Sequence, residues 1–244
     1  MKNMYVGDVG DYGKYGLLRF LSMQGIIIGV NWYLTKNDNS NDGKHITYFD
    51  REKERIYDPF VYDALKDIVQ RQDRNVYRVE DAGIIPHAIF YHEILATTAY
   101  AWQRRQEIRD EWHRRALETL QGVQLVFADP DNGTIGAKSP TSKNAEKYTT
   151  LEELADYYNR GQDVVYYCHK ARRTDAQWQD KMLELQSVLV NVKIMVLTFR
   201  RGTQRSYIFG IHPERYPEYN QRIESFLETE WGTFGARKAF MREL

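Results

Sequence analysis

The chain has 244 residues, of which 42% are hydrophobic, 14% aromatic and 28% charged, enough to bury a substantial core in one large domain. Lys plus Arg and Asp plus Glu are both 34, so the formal net charge is zero, which excludes a strongly basic arm or an acidic tail as a bulk property. Mean hydropathy is −0.65, the most apolar stretch, 25–34, is far shorter than a membrane span, and the single cysteine, Cys168, excludes an intrachain disulfide or a Cys-rich zinc site.

Taken in chain order, the N-terminus reads MKNMYVGDVGDYGKYG. It has no apolar h-region, so no secretory signal is expected, and the reading is a cytoplasmic protein with no membrane partner. Residues 7–16 mix four glycines with Asp8, Asp11, Tyr12, Lys14 and Tyr15, a poor core segment that reads as a loop entering a first helix over 14–23. A β-rich run predicts a strand over 26–34, and the polar segment 35–45 after it contains Asn41-Asp42-Gly43, a turn signature or a ligand loop. Phe60, Ala64, Leu65, Ile68 and Val69 predict a helix over 59–70. NVYRV predicts a strand over 75–79, with Glu80 and Asp81 at its end. The stretch 99–120 reads as a long helix with Trp102, Ile108, Trp112, Ala116 and Leu120 as its buried stripe. Its arginines, Arg109 among them, read as a solvated face paired to acids at i,i+4.

Strands follow at 124–128 and 163–167, with a helix over 150–159 opened by the capping box Thr150…Glu153. A helix over 174–190 carries Trp178, Met182, Leu185 and Leu189, and a last one spans 219–228. The strands at 193–199 and 206–211 are too close for a helical crossover, so they form an antiparallel hairpin. Strands alternating with helices predict an α/β fold: a doubly wound, mostly parallel sheet with helices on both faces and that hairpin at its C-terminal end. The whole chain, 1–244, reads as one domain, with a glycine/Asp leader and first helix in 1–24 and a helical insertion at 81–122.

In such a sheet, ligands bind beyond the carboxyl ends of the strands. The sharpest signal there is FADPDNG, 127–133, where an apolar strand runs into Asp129, Pro130, Asp131, Asn132 and Gly133. Two carboxylates and an amide at that place can hold an amine, a ribose or a cation, although the same residues also make plain turns. His169 follows the next strand as a candidate acid or base, and Lys170, Arg172 and Arg173 could meet phosphates. Arg200, Arg201 and Arg205 in the hairpin loop add positive charge that could join them.

The order of these segments resembles the class I S-adenosylmethionine-dependent methyltransferases, with their Rossmann-like fold. It is most similar to the large-subunit rRNA adenine methyltransferases and to the three-Cys-motif partner proteins. The resemblance implies a cofactor, S-adenosylmethionine, and a nucleic acid or nucleotide substrate. The family's Asp-Pro-Pro-Tyr motif holds the exocyclic amine of a flipped adenine and stacks on the base. Asp129 and Pro130 match it, while Asp131 and Asn132 stand where the family has Pro and Tyr. The resemblance carries a catalytic role to Asp129 and Pro130 and cofactor contacts loosely to Gly10, Asp11 and Lys14. The strand-end and leader segments themselves add Asp131, Asn132 and His169 as catalytic candidates, Asp42 and Gly43 as cofactor contacts, and Asp8, Tyr12, Lys170, Arg172 and Arg200 as substrate contacts. The family's glycine-rich loop after the first strand has no counterpart, since 35–43 offers only Gly43. Two alternatives stay open: a Mg²⁺-dependent nuclease or phosphotransferase with the metal on Asp8, Asp11, Asp129 and Asp131, and a non-catalytic Rossmann-like partner protein.

Overall fold

The computed structural model describes residues 1–38, 40–135, 139–170, 173–202, 204–235 and 238–243. Among them, β1 (Ile28–Asn31), β2 (Ile89–Tyr91), β3 (Leu125–Ala128), β4 (Asp163–Cys168), β5 (Lys193–Phe199), β6 (Arg205–Ile211) and β7 (Phe240–Arg242) form one seven-stranded sheet in the order β2-β1-β3-β4-β6-β5-β7. The first five run the same way, while β6, inserted between β4 and β5, and β7, at the edge, oppose them. Side chains alternate across the pleat, so Leu125 and Phe127 enter one core while Val126 and Ala128 enter the other. The first core is closed by α1 (Val9–Met23), α2 (Pro59–Gln70), α3 (Val76–Asp81), α7 (Tyr216–Glu228) and α8 (Glu230–Thr233). The second is closed by α4 (Arg105–Thr119), α5 (Leu151–Asn159) and α6 (Asp175–Val188). A mixed α/β sheet covered on both faces and the antiparallel β5–β6 hairpin are therefore present. No helix among the described residues is long and apolar enough to cross a membrane.

Three expectations are corrected. The run at 75–79 is helix α3, not a strand: Asn75 caps it by accepting the Arg78 N–H at 3.1 Å, and Val76 and Val79 lie three apart on its buried side. The strand partnering β1 at that edge is instead β2, a three-residue segment too short to signal itself by alternation. The glycine leader is not a loop, because α1 begins at Val9 and Gly10, Gly13 and Gly16 form a stripe along it. A Cβ at these positions would collide with Arg205, Phe199 and Trp231 respectively, so the glycines bring the helix close to β5, β6 and α8. Within 81–122 the structure holds β2 and α4. On α4, Arg109 is not part of a solvated face: it is buried and makes a fork to Glu153 of α5 at 2.7 and 2.8 Å. The capping box of α5 is formed as expected, and a second one, Thr174 with Gln177, opens α6.

Candidate functional site

Because β6 runs against its neighbours, its N-terminal end lies at the same sheet edge as the C-terminal ends of β1, β3 and β4. A cavity of about 330 Å³ opens there. It brings together Asp8, Gly10, Asp11 and Lys14 from α1, Asp42 and Gly43 from the loop after β1, Asp129 to Asn132 after β3, and His169 after β4. Lys14 and Asp129, 115 positions apart in the chain, thus face one space, since α1 is laid across the strand ends by its glycine stripe.

Lys14 is the hub. Its Nζ donates to Asp129 Oδ2 at 2.6 Å and lies 2.8 Å from Asp11 Oδ1. All three side chains are buried. Burial works against the Lys14 charge, but the two carboxylates outweigh it and hold the lysine above its ordinary pKa. One cation serves two acids, so Asp11 is undercompensated, and burial pushes its carboxyl up to about 6. Asp8 caps α1, its Oδ1 accepting the Gly10 N–H at 2.9 Å and Arg205 Nη2 at 2.7 Å. Its Oδ2 accepts the His45 N–H at 3.1 Å, tying in the loop after β1. The Met1 ammonium donates to the Asp129 and Tyr33 carbonyls at 2.9 and 3.0 Å.

His169 is engaged on both nitrogens. The Tyr167 hydroxyl lies 2.5 Å from Nε2, and Nδ1 lies 3.2 Å from the Gln204 carbonyl. Burial, helped by the Arg205 charge, lowers its pKa and favours the neutral ring. That ring donates from Nδ1 and accepts at Nε2, which makes it a support for Tyr167 rather than an available base.

Two groups in the cavity lack a hydrogen-bond partner. Both carboxylate oxygens of Asp131 are buried without a hydrogen-bond partner, and so is the Tyr207 hydroxyl. The Asp131 carboxylate is held by charge instead: it forms a buried ion pair with the Met1 ammonium, 2.7 Å from Oδ1, and Lys2 Nζ lies 3.9 Å from Oδ2.

Three residues expected to face the ligand lie elsewhere. Tyr12 points away into an aromatic cluster, stacked on Tyr48 at 5.3 Å with its hydroxyl on the Glu54 carbonyl at 2.9 Å. Lys170 pairs with Asp175 at 2.6 Å, and Arg200 is exposed on the chain following β5. Arg172 lies outside the described residues. The structure adds Met1, Tyr5, His45, Lys147, Tyr167 and Tyr207 to the lining and places Arg205 there too. The period-two spacing of Arg205 and Tyr207 was a visible signal, but only the direction of β6 turns it into a site. The carboxylates Asp8, Asp11, Asp129 and Asp131 do not gather around one point, because Arg205 and Lys14 hold three of them. Among the described residues no group of three or more His, Cys, Asp or Glu could hold a metal ion. After β1 the chain passes through buried Trp32 and Tyr33, where no glycine-rich turn is formed.

No family model matches the chain, and no curated protein matches it. Among solved structures it is similar to the crystal structure of protein LPL1258 from Legionella pneumophila str. Philadelphia 1, which bears the family-model label DUF519. The TM-score is 0.51 over 97% of each chain at 11% identity, a likeness of fold alone.

Proposed function

We propose that this chain is a Rossmann-like, S-adenosylmethionine-dependent methyltransferase-like enzyme that acts on a nucleic acid or nucleotide at the cavity over β3 and β4. The observation that carries the reading is the union of Asp129-Pro130, at the end of β3, with Lys14 of the leader helix through a 2.6 Å hydrogen bond inside one cavity. The antiparallel β5–β6 pair after the parallel strands supports it as well. The lining fits the cofactor's hydroxyl and cationic groups, since the cavity is lined by carboxylates and keeps the buried Tyr207 hydroxyl without a hydrogen-bond partner. Gly10, Asp11, Asp42 and Gly43 would hold it. When bound, S-adenosylmethionine supplies the methyl group. The chain's own task is orientation: Lys14 fixes the Asp129 carboxylate, Asp129 aligns the acceptor, and His169 steadies Tyr167.

The test is transfer of labelled methyl from S-adenosylmethionine to total RNA, DNA and nucleotide pools. Incorporation by the wild-type protein that Asp129→Ala abolishes, with an unchanged circular dichroism spectrum, supports the reading. No incorporation together with no calorimetric binding of S-adenosylmethionine sinks it. The filled turn at Trp32 and Tyr33 favours a second reading, a Rossmann-like binding protein without catalysis. Cofactor or nucleotide binding with no transfer would select that one.

A further inference from the structure

A second cavity, of about 370 Å³, lies beside the first and takes no part in the chemistry described so far. Segments that follow β1 and β2 line it, together with Glu146 and Lys147. Lys147 also lines the first cavity, and its carbonyl accepts the Asn132 N–H at 3.0 Å, so the two spaces share a wall beside the turn after β3. Their charges are opposite in character. Five aspartates line the first cavity. Lys2, Lys36 and Lys147 line the second, and its two acids are already engaged. Asp38 pairs with Lys2 at 2.6 Å, and Glu146 accepts the Thr98 N–H at 3.2 Å and the Thr98 hydroxyl at 3.0 Å. Lys147 stands 4.0 Å from Asp38, and the exposed Lys36 ammonium has no ion-pair or hydrogen-bond partner among the described residues. A phosphate is therefore repelled by the first cavity and accepted by the second.

The loop leading out of the second cavity adds an aromatic signal. The short turn Thr97–Ala99 lines the cavity through Thr98 and Ala99, and Tyr100 and Trp102 follow it. Three residues of chain keep Trp102 within about 11 Å of Ala99. Trp102 is 67% exposed, whereas the other four tryptophans are at most 5% exposed. Tyr100 is 43% exposed, and the Arg104 guanidinium lies 6.0 Å from its ring centre. The loop is pinned: Arg105 donates to the Tyr100 carbonyl at 3.2 Å and to the Thr141 carbonyl at 3.1 Å. An indole kept wet on a pinned loop, next to lysines, suits a nucleic-acid base with its phosphate beside it.

We infer that this shelf carries a single-stranded nucleic acid past the first cavity: Lys36 and Lys147 meet its phosphates, and Trp102 stacks on a base beyond them. The inference rests on the proposed reading for its substrate and narrows that substrate from a free nucleotide to a strand. A duplex keeps its bases stacked on one another, and a mononucleotide seated in the first cavity has no second base to offer the indole.

The test is fluorescence anisotropy of the full chain with labelled RNA and DNA single strands about 16 nucleotides long, and with duplexes of the same sequences. A single strand should bind more tightly than its duplex, and more weakly as salt is raised. Trp102→Ala should weaken it about tenfold without changing the slope of log affinity against log salt, and Trp102→Phe should keep most of the affinity. Lys36→Gln should make that slope shallower by about 0.7, the share of one phosphate contact on a single strand. Both side chains sit at the surface, so the variants should keep the wild-type urea midpoint, which checks that they fold. Equal binding of duplex and single strand, displacement of the strand by an equal concentration of adenosine 5′-monophosphate, wild-type behaviour of both Trp102→Ala and Lys36→Gln, or no binding of any strand overturns the inference. Strand binding with these variant effects but no methyl transfer from S-adenosylmethionine upholds the shelf and removes the methyltransferase chemistry, so the two failures are told apart.

Discussion

Lys14 shows how one residue can set the character of a site. It is a buried ammonium between two buried carboxylates, and removing one member of such a cluster leaves the others uncompensated. Lys14→Met should lower the unfolding free energy by about 3–5 kcal/mol, read as a fall in the urea midpoint at constant slope. Asp129→Asn in the Lys14→Met background should recover part of that loss, because one stranded charge is then gone. Asp11 supplies a pH signature. Its folded-state pKa is raised to about 6 from 3.8, so the native protein binds more protons than the unfolded chain between those values. Stability from this group therefore falls as pH rises through that window, by about 3 kcal/mol. Asp11→Asn should gain on the wild type in urea midpoint as pH is raised from about 4 to about 7. A constant gap would show that Asp11 is not undercompensated.

Among the elements, α1 is where local preference and tertiary need pull apart. Gly13 and Gly16 in the helix interior cost about 1 kcal/mol each relative to alanine, so propensity alone argues against this helix. Packing tips the balance the other way, since the bare stripe lets Arg205, Phe199 and Trp231 reach the helix backbone. Gly16→Ala should therefore destabilise by about 1–3 kcal/mol despite its better propensity, through overpacking against Trp231. Gly25→Ala, where no atom stands within 4 Å but φ is +88°, separates this packing effect from backbone strain. Elements α5 and α6 behave the other way. The α5 capping box was readable in the sequence because a cap is a local device spanning four residues, while the equally local Thr174–Gln177 box of α6 emerged only with the structure. The strand expected at 75–79 failed for a related physical reason: five residues with valines three apart fit either period, and the Asn75 side chain decided for the helix.

At the scale of the whole molecule, the site depends on contacts that span the chain. Arg205 on β6 reaches Asp8 at the start of α1, 197 residues away, and so latches the leader helix over the strand ends. Arg205→Met should cost about 1.5–3 kcal/mol and speed hydrogen exchange at 9–13 before the sheet itself exchanges. Unchanged protection there would show that the glycine stripe alone holds α1. The sequence by itself determined the α/β class, β1, β3, β4, β5 and β6 and the Asp129–Asn132 segment, because apolar runs and turn residues act over a few positions. It also singled out Asp8, Asp11, Lys14 and His169 as polar residues in conspicuous places. Only the tertiary structure decided that α1 is helical from Val9, that Tyr12 faces away, that Lys14 joins Asp11 to Asp129, and that Asp131 pairs with the Met1 ammonium. Those outcomes rest on strand direction, on close approach across the sheet and on which buried charges find each other, and no local window of sequence contains that information.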